Sequence, residues 1–153
     1  MKDLGTALVV YHSMFGNTEK IARALVSGLK DVGIDTDIAR VDAVNLEELG
    51  SIDLLCVGTP VHAWNISKPV REFLGRLRGV EGLSGKKAFA FDTKFKSRLA
   101  GSAGGKVEKK LKSLGFVIAK PAKSAIVLGK EGPLEANAEA TFKQIGSELA
   151  GQM

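Results

Sequence analysis

Ala7-Leu8-Val9-Val10-Tyr11-His12-Ser13-Met14-Phe15-Gly16-Asn17-Thr18-Glu19-Lys20-Ile21-Ala22 decides how this chain is read. Residues 7–11 are apolar, and Ile21, Ala22, Leu25 and Leu29 follow at helical spacing. That order means strand, tight turn, helix. The first turn of a helix presents unpaired N–H groups and the positive end of the macrodipole. Here those donors stand beside the hydroxyls of Ser13 and Thr18 and the amide of Asn17. Gly16 lets the backbone approach a ligand closely. The turn 13–18 holds no lysine, so backbone and hydroxyl dipoles must supply the attraction. Together these parts make a socket for a phosphate monoester. The plainer reading is an ordinary strand-to-helix turn with Asn17 or Thr18 as N-cap.

Strands and helices alternate along the whole chain, which implies an α/β fold: a parallel sheet covered on both faces. Strands are expected at 7–11, 36–41, 53–58 and 87–91, with a fifth in two pieces, 117–119 and 124–128, split by Pro121. Helices are expected at 17–32, 46–49 (capped by Asn45), 69–77, 102–114 and 134–150. The last would bury Ala138, Phe142, Ile145 and Leu149. No repeat or linker interrupts residues 1–153, so one domain is expected. In such doubly wound sheets ligands bind beyond the carboxyl ends of the strands, where the strand order reverses. Three segments fall there: 13–18, 59–67 and 92–101.

Composition narrows the function classes. Hydrophobic residues make up 44% and charged residues 25% of 153, as in a soluble globular protein. No apolar run approaches membrane-spanning length. The start, Met1-Lys2-Asp3-Leu4-Gly5, leads directly into a strand, so no signal peptide is expected. A single cysteine excludes an internal disulfide and fits a reducing, cytoplasmic compartment. Cys56, within Leu54-Leu55-Cys56-Val57, is read as core. The net charge of +5 suits an acidic partner. Nucleic acid is not expected, because the basic residues are not interleaved with aromatics as a base-stacking platform needs. No cluster of metal-ligating residues stands out, and no metal is expected.

The second segment reads Thr59-Pro60-Val61-His62-Ala63-Trp64-Asn65 and holds the only tryptophan. Stacking of Trp64 on a planar ligand would contribute roughly 0.5–1.5 kcal/mol beyond area burial. Its alternative is a ring folded back on the sheet edge. His62 reads as a solvated loop histidine, with ligand contact the alternative. His12 points, by strand alternation, away from the turn or beneath it, and is read as structural.

On these residues the chain resembles the short-chain flavodoxins, which hold FMN (flavin mononucleotide) at this switch point. The motif from Tyr11 to Ala22 is similar to the family's phosphate fingerprint, Gly58-Thr59-Pro60 to its second loop, and Phe91-Asp92-Thr93 to its third. The resemblance implies a five-stranded sheet of order 2-1-3-4-5. It implies that Ser13, Met14, Phe15, Gly16, Asn17 and Thr18 hold the FMN phosphate. Thr59, Pro60, Val61, His62, Ala63 and Trp64 would flank one side of the ring, and Asp92, Thr93, Lys94 and Phe95 the other. No side chain need act as acid, base or nucleophile, since the flavin carries the electron chemistry. The expected function is FMN-dependent electron transfer with an acidic redox partner, in a monomer or weak dimer.

Two departures keep alternatives open. Phe15 stands where the family has a small hydroxyl residue, as in the flavodoxin-like modules of flavodiiron proteins and quinone reductases. An NAD(P)H-dependent quinone-type reductase is therefore a second reading. The third segment carries Lys94-Phe95-Lys96-Ser97-Arg98 where the family has a stacking tyrosine and acidic residues. Phe95 is either that tyrosine's replacement or a core residue. A lysine ~5 Å from the ring at an effective dielectric of ~20 stabilises a reduced, anionic flavin by about 3 kcal/mol, less if exposed. The basic segment would then raise the potential; as a solvated loop it would leave the flavin untouched. A non-redox binding or regulatory module on the same fold is the third reading. A phosphoryl-accepting receiver domain is set aside, because Tyr11-His12 and Thr59 supply no carboxylates where that chemistry needs them.

Overall fold

A computed structural model describes residues 5–62, 65–96 and 102–153. The elements in order are β1 (Thr6–Tyr11), α1 (Asn17–Asp31), β2 (Asp35–Arg40), β3 (Leu54–His62), β4 (Asn65–Ile66), α2 (Lys68–Arg76), β5 (Lys87–Phe95), α3 (Gly104–Ser113), β6 (Val117–Ile118), β7 (Lys123–Val127) and α4 (Ala138–Leu149). A 3-10 turn over Leu46–Ser51 is capped by Asn45, whose side chain accepts from the Glu47 N–H at 3.0 Å.

The sheet runs β2-β1-β3-β5-β6, with β7 following β6 along the same edge of β5 and β4 attached to β3. All pairs are parallel except β3 with β4. The α/β doubly wound class stands, whereas the sheet has seven strands rather than five, so its order differs slightly from expectation. The expected fifth strand is β6 and β7 in tandem. They pair with Lys87–Ala88 and with Phe91–Phe95, and the break falls around Pro121.

Side-chain alternation divides the core in two. Leu54, Cys56, Phe89 and Phe91 pack with α1 and α4, whereas Leu55, Val57, Ala88 and Ala90 pack with α2 and α3. On the first face the Phe91 ring lies 6.1 Å from Phe89 and 5.7 Å from Phe142, offset and tilted as aromatic pairs prefer. Helices α1 and α4 approach so closely that a methyl group on Gly28 would run into the Lys143 carbonyl, and one on Gly146 into the Leu25 carbonyl. Glycine inside a helix costs roughly 1 kcal/mol relative to alanine. Here it is the only residue that lets the two backbones meet.

Two expected loops are strand instead. Residues 59–62 extend β3, and 92–95 extend β5, because the two strands continue to pair, Thr59 opposite Asp92 and Pro60 opposite Thr93. Lys94 and Phe95 then pair with Ile126 and Val127. Proline is tolerated here because β1 ends at Tyr11, opposite Gly58, leaving β3 an edge on that side. The last helix begins at Ala138 rather than at 134. Leu134 bridges Val127, and the Glu135 N–H donates to the Ile126 carbonyl, so these residues trail along β7 before the helix starts.

Candidate functional site

The turn between β1 and α1 lies at the carboxyl end of the sheet, between β2 and β3, where the strand order reverses. Gly16, at φ 89°, is the N-cap of α1 and offers no side-chain cap. A methyl group there would meet nothing within 4 Å, so the turn faces open space. The Ser13 Oγ accepts the Gly16 N–H at 3.0 Å and closes the turn. The Asn17, Thr18 and Glu19 amides form the first turn, whose N–H groups have no intrahelical acceptor. Ser13, Asn17 and Thr18 are buried around them, while Met14 and Phe15 project outward.

The third segment meets the first directly: the Thr93 and Thr18 hydroxyls are 2.7 Å apart. The 128–134 loop meets it too, since a methyl group on Gly132 would stand 2.9 Å from Asn17 Oδ1. Large apolar side chains gather around this end of the sheet. Met14 is 60% exposed, Phe15 45%, Phe95 44% and Leu128 62%. They come from three separate segments, at or just past the carboxyl ends of β1, β5 and β7.

The other expected site residues divide by face. Thr59 is fully buried; its hydroxyl donates to the Pro60 carbonyl at 2.8 Å and bonds Ser67 Oγ at 3.2 Å. Ser67, the N-cap of α2, also bonds the His12 ring through Nδ1 at 2.9 Å. His12 therefore belongs to a network under the turn. Asp92 is likewise fully buried and turned toward α3, where its Oδ2 accepts from Ser102 Oγ at 2.8 Å and from the N–H groups of Ala103 and Gly104 at 2.9 and 2.7 Å. Among the described residues its Oδ1 has no hydrogen-bond partner. Thr59 and Asp92 thus brace the site from below. Pro60, Val61 and Lys94 are half-buried, and His62 ends β3 opposite Asn65. Ala63 and Trp64 lie outside the described residues.

Sequence reading missed three participants. Ser67 and Ser102 act across strand boundaries and have no local signature. Gly132 packs on Asn17 from 115 residues away. Strand alternation was the available signal for Asp92: if Phe91 faces α1 and α4, Asp92 must face α3.

Cys56 is fully buried, and desolvation pushes its thiol well above the ordinary range. A cleft of about 610 Å³ opens at the break between β6 and β7, with Pro121, Lys123 and Thr141 in its lining. None of the turn residues lines it. Among the described residues no group of three or more potential metal ligands occurs, and no helix is long and apolar enough to cross a membrane.

An open, doubly wound α/β sheet with an uncapped helix N-terminus at its switch point defines the class: a doubly wound α/β protein, a fold that takes its ligands at that point. The chain belongs to the flavodoxin family, whose model matches residues 9–145. It is 30% identical over 95 residues to a flavodoxin of Aquifex aeolicus, covering 59% of this chain and 50% of that protein. It is 28% identical over 113 residues to an NAD(P)H dehydrogenase (quinone) of Cupriavidus metallidurans, covering 58% and 56%. The chain spans 22% to 56% of the length of these and other curated relatives. Its fold is similar to that of flavodoxin 1 from Bacillus cereus, with a TM-score of 0.83 at 18% identity over 97% of this chain and 99% of the other.

Proposed function

We propose that this protein binds FMN at the β1–α1 turn and serves as an electron-transfer protein. Proteins of the flavodoxin family bind FMN. The observation that carries the reading is the turn itself: Gly16 at φ 89° leaves the first turn of α1 with no side-chain cap, and the space beside it is open. Those amides, with the hydroxyls of Ser13 and Thr18 and the Asn17 side chain, fit a phosphate dianion. Met14 and Phe15, expected at the phosphate, have exposed side chains and are assigned instead, with Pro60 and Phe95, to the edges of a flat ring, and Val61, His62, Ala63, Trp64 and Lys94 to its surroundings. When bound, FMN would supply the one- and two-electron chemistry. The chain's residues bind and orient it, and Thr59, Ser67 and Asp92 hold the β3 and β5 extensions that carry the rim.

Charge supports an acidic partner. Residues 86–123 carry eleven Lys and Arg against only Asp92 and Glu108, and residues 30–53 carry seven Asp and Glu against only Lys30 and Arg40. In the sheet the first group lies on the β5–β6 side and the second on the β2 edge, so the protein is polarised across the site. A partner rich in carboxylates would be steered to the β5 and α3 side, faster at low salt. A monomer or weak dimer in a reducing, cytoplasmic compartment fits this reading.

The test is a titration of the protein with FMN, following quenching of flavin fluorescence. Binding at micromolar FMN is expected, and its absence would sink the reading. The match to the Cupriavidus metallidurans protein favours a second reading, an NAD(P)H:quinone-type reductase. Sustained oxidation of NADH or NADPH by the FMN-loaded protein with a quinone acceptor would establish it; a carrier gives almost none.

A further inference from the structure

Thr18 and Thr93 lie 75 residues apart in the chain, and their Oγ1 atoms are 2.7 Å apart. Both side chains are buried, at 2% and 6% exposure. Thr18 stands in the first turn of α1. Thr93 stands on β5, on the face that carries Phe91 toward α1 and α4. A hydroxyl has one proton to donate and lone pairs that accept. The shared bond therefore runs one way at a time, and its direction depends on what else Thr18 binds.

We propose that Thr93 is a positioning residue for the cofactor phosphate, acting through Thr18 rather than by touching the ring. The inference rests on the FMN reading. A phosphate dianion in the turn is an acceptor only, so the Thr18 O–H must donate to it. Thr18 Oγ1 then becomes the acceptor for Thr93. The resulting order, Thr93 to Thr18 to phosphate, points every proton toward the negative charge. Hydrogen bonds in such a chain polarise one another, and a buried setting strengthens them. Without the Thr93 hydroxyl, Thr18 keeps its place on the helix but loses the donor behind it. The resemblance that grouped Thr93 with the residues flanking the ring thus gives way to a different role. Thr93 ties the third segment to the first, so that phosphate binding and the position of the β5 extension depend on each other.

The test compares two ligands that differ only in the phosphate. Apoprotein is titrated with FMN and with riboflavin by fluorescence quenching, for the wild type, Thr93→Val, Thr93→Ser, Thr18→Val and the Thr18→Val/Thr93→Val double variant. Thr93→Val is expected to weaken FMN by up to about tenfold, the upper end for one hydrogen bond between neutral groups. It should leave riboflavin affinity within about twofold. Thr93→Ser should restore FMN binding, and Thr93→Val should add nothing once Thr18 is valine. Equal losses for FMN and riboflavin, additive losses in the double variant, or unchanged FMN affinity in Thr93→Val would each overturn the inference. Should Thr93→Val fail to fold by circular dichroism, the wild type decides. Titration of the apoprotein with inorganic phosphate should shift the NMR signals of Thr93 together with those of Thr18, and a stationary Thr93 would overturn the inference. If the wild type binds no FMN, the cofactor reading fails first, and this inference fails with it.

Discussion

Asp92 reaches from β5 to the start of α3 and accepts the Gly104 N–H at 2.7 Å. The same oxygen takes the Ala103 N–H and the Ser102 hydroxyl, so one carboxylate serves as the cap that α3 lacks in its own sequence. A capping side chain contributes about 0.5–2 kcal/mol, and a negative charge at a helix N-terminus up to about 2 kcal/mol in partly buried settings. Asp92→Ala should therefore destabilise the fold by roughly 0.5–4 kcal/mol on the sum of these two effects. Asp92→Asn, which keeps an acceptor but no charge, should cost less. Denaturant unfolding of the three proteins checks the order, and equal stability of wild type and Asp92→Ala would contradict it.

The Gly28–Gly146 contact makes a second, sharper case. Each glycine faces backbone of the opposite helix, which cannot move aside as a side-chain tip can. Gly28→Ala and Gly146→Ala should each destabilise by roughly 1–3 kcal/mol, as overpacking does. Gly75 lies inside α2 with nothing within 4 Å of an added methyl group. There alanine should stabilise by up to about 1 kcal/mol through helix propensity alone. Opposite signs for these alanines in thermal unfolding are the expected outcome.

The order of elements was legible because strands 7–11, 53–58 and 87–91 are apolar at every or nearly every position, the mark of strands buried on both faces. The turn between β1 and α1 was legible because its parts are adjacent in sequence. The extensions of β3 and β5 were not. Thr59-Pro60 and Asp92-Thr93 have turn-like composition, and only their mutual pairing makes them strand. The roles of Thr59 and Asp92 were hidden for the same reason. Each is set by a partner beyond the next loop, Ser67 for one and Gly104 for the other.

Gly16 ties backbone conformation to ligand binding. An L-residue in the left-handed region costs roughly 1–2 kcal/mol. The space beside Gly16 is open, so Gly16→Ala is a test of conformation and not of steric fit. Two outcomes follow from the FMN reading. Stability should fall by about that amount, and FMN affinity should fall more than riboflavin affinity, because the turn's amides address the phosphate. Parallel loss of both ligands would instead place Gly16 in general structure.

Cys56 should be inert in the folded protein. It is fully buried in the central strand, and desolvation holds its thiol protonated far above neutral pH. The thiolate is the reactive form, so a disulfide reagent such as Ellman's should label the native chain only at the rate of unfolding. In denaturant one thiol per chain should react at once. Rapid labelling of the native protein would mean that β3 opens on the timescale of the assay.

The basic rim makes the last prediction. Lys94 is half-buried on the strand extension that ends in Phe95, and Lys96, one residue past it, is exposed. One positive charge ~5 Å from a flavin at an effective dielectric of ~20 favours the reduced anion by about 3 kcal/mol. On a one-electron scale 1.4 kcal/mol is about 59 mV, so the upper bound is roughly 130 mV per lysine. Solvent exposure reduces this, most for Lys96. Lys94→Gln should therefore lower the midpoint potential of the FMN-loaded protein by several tens of millivolts, and Lys96→Gln by less. Both shifts should shrink as salt is raised toward 1 M, where the screening length falls to about 3 Å. Spectroelectrochemical titration at two ionic strengths measures them. Potentials that do not move in either variant would mean that the rim acts on the partner alone and not on the flavin.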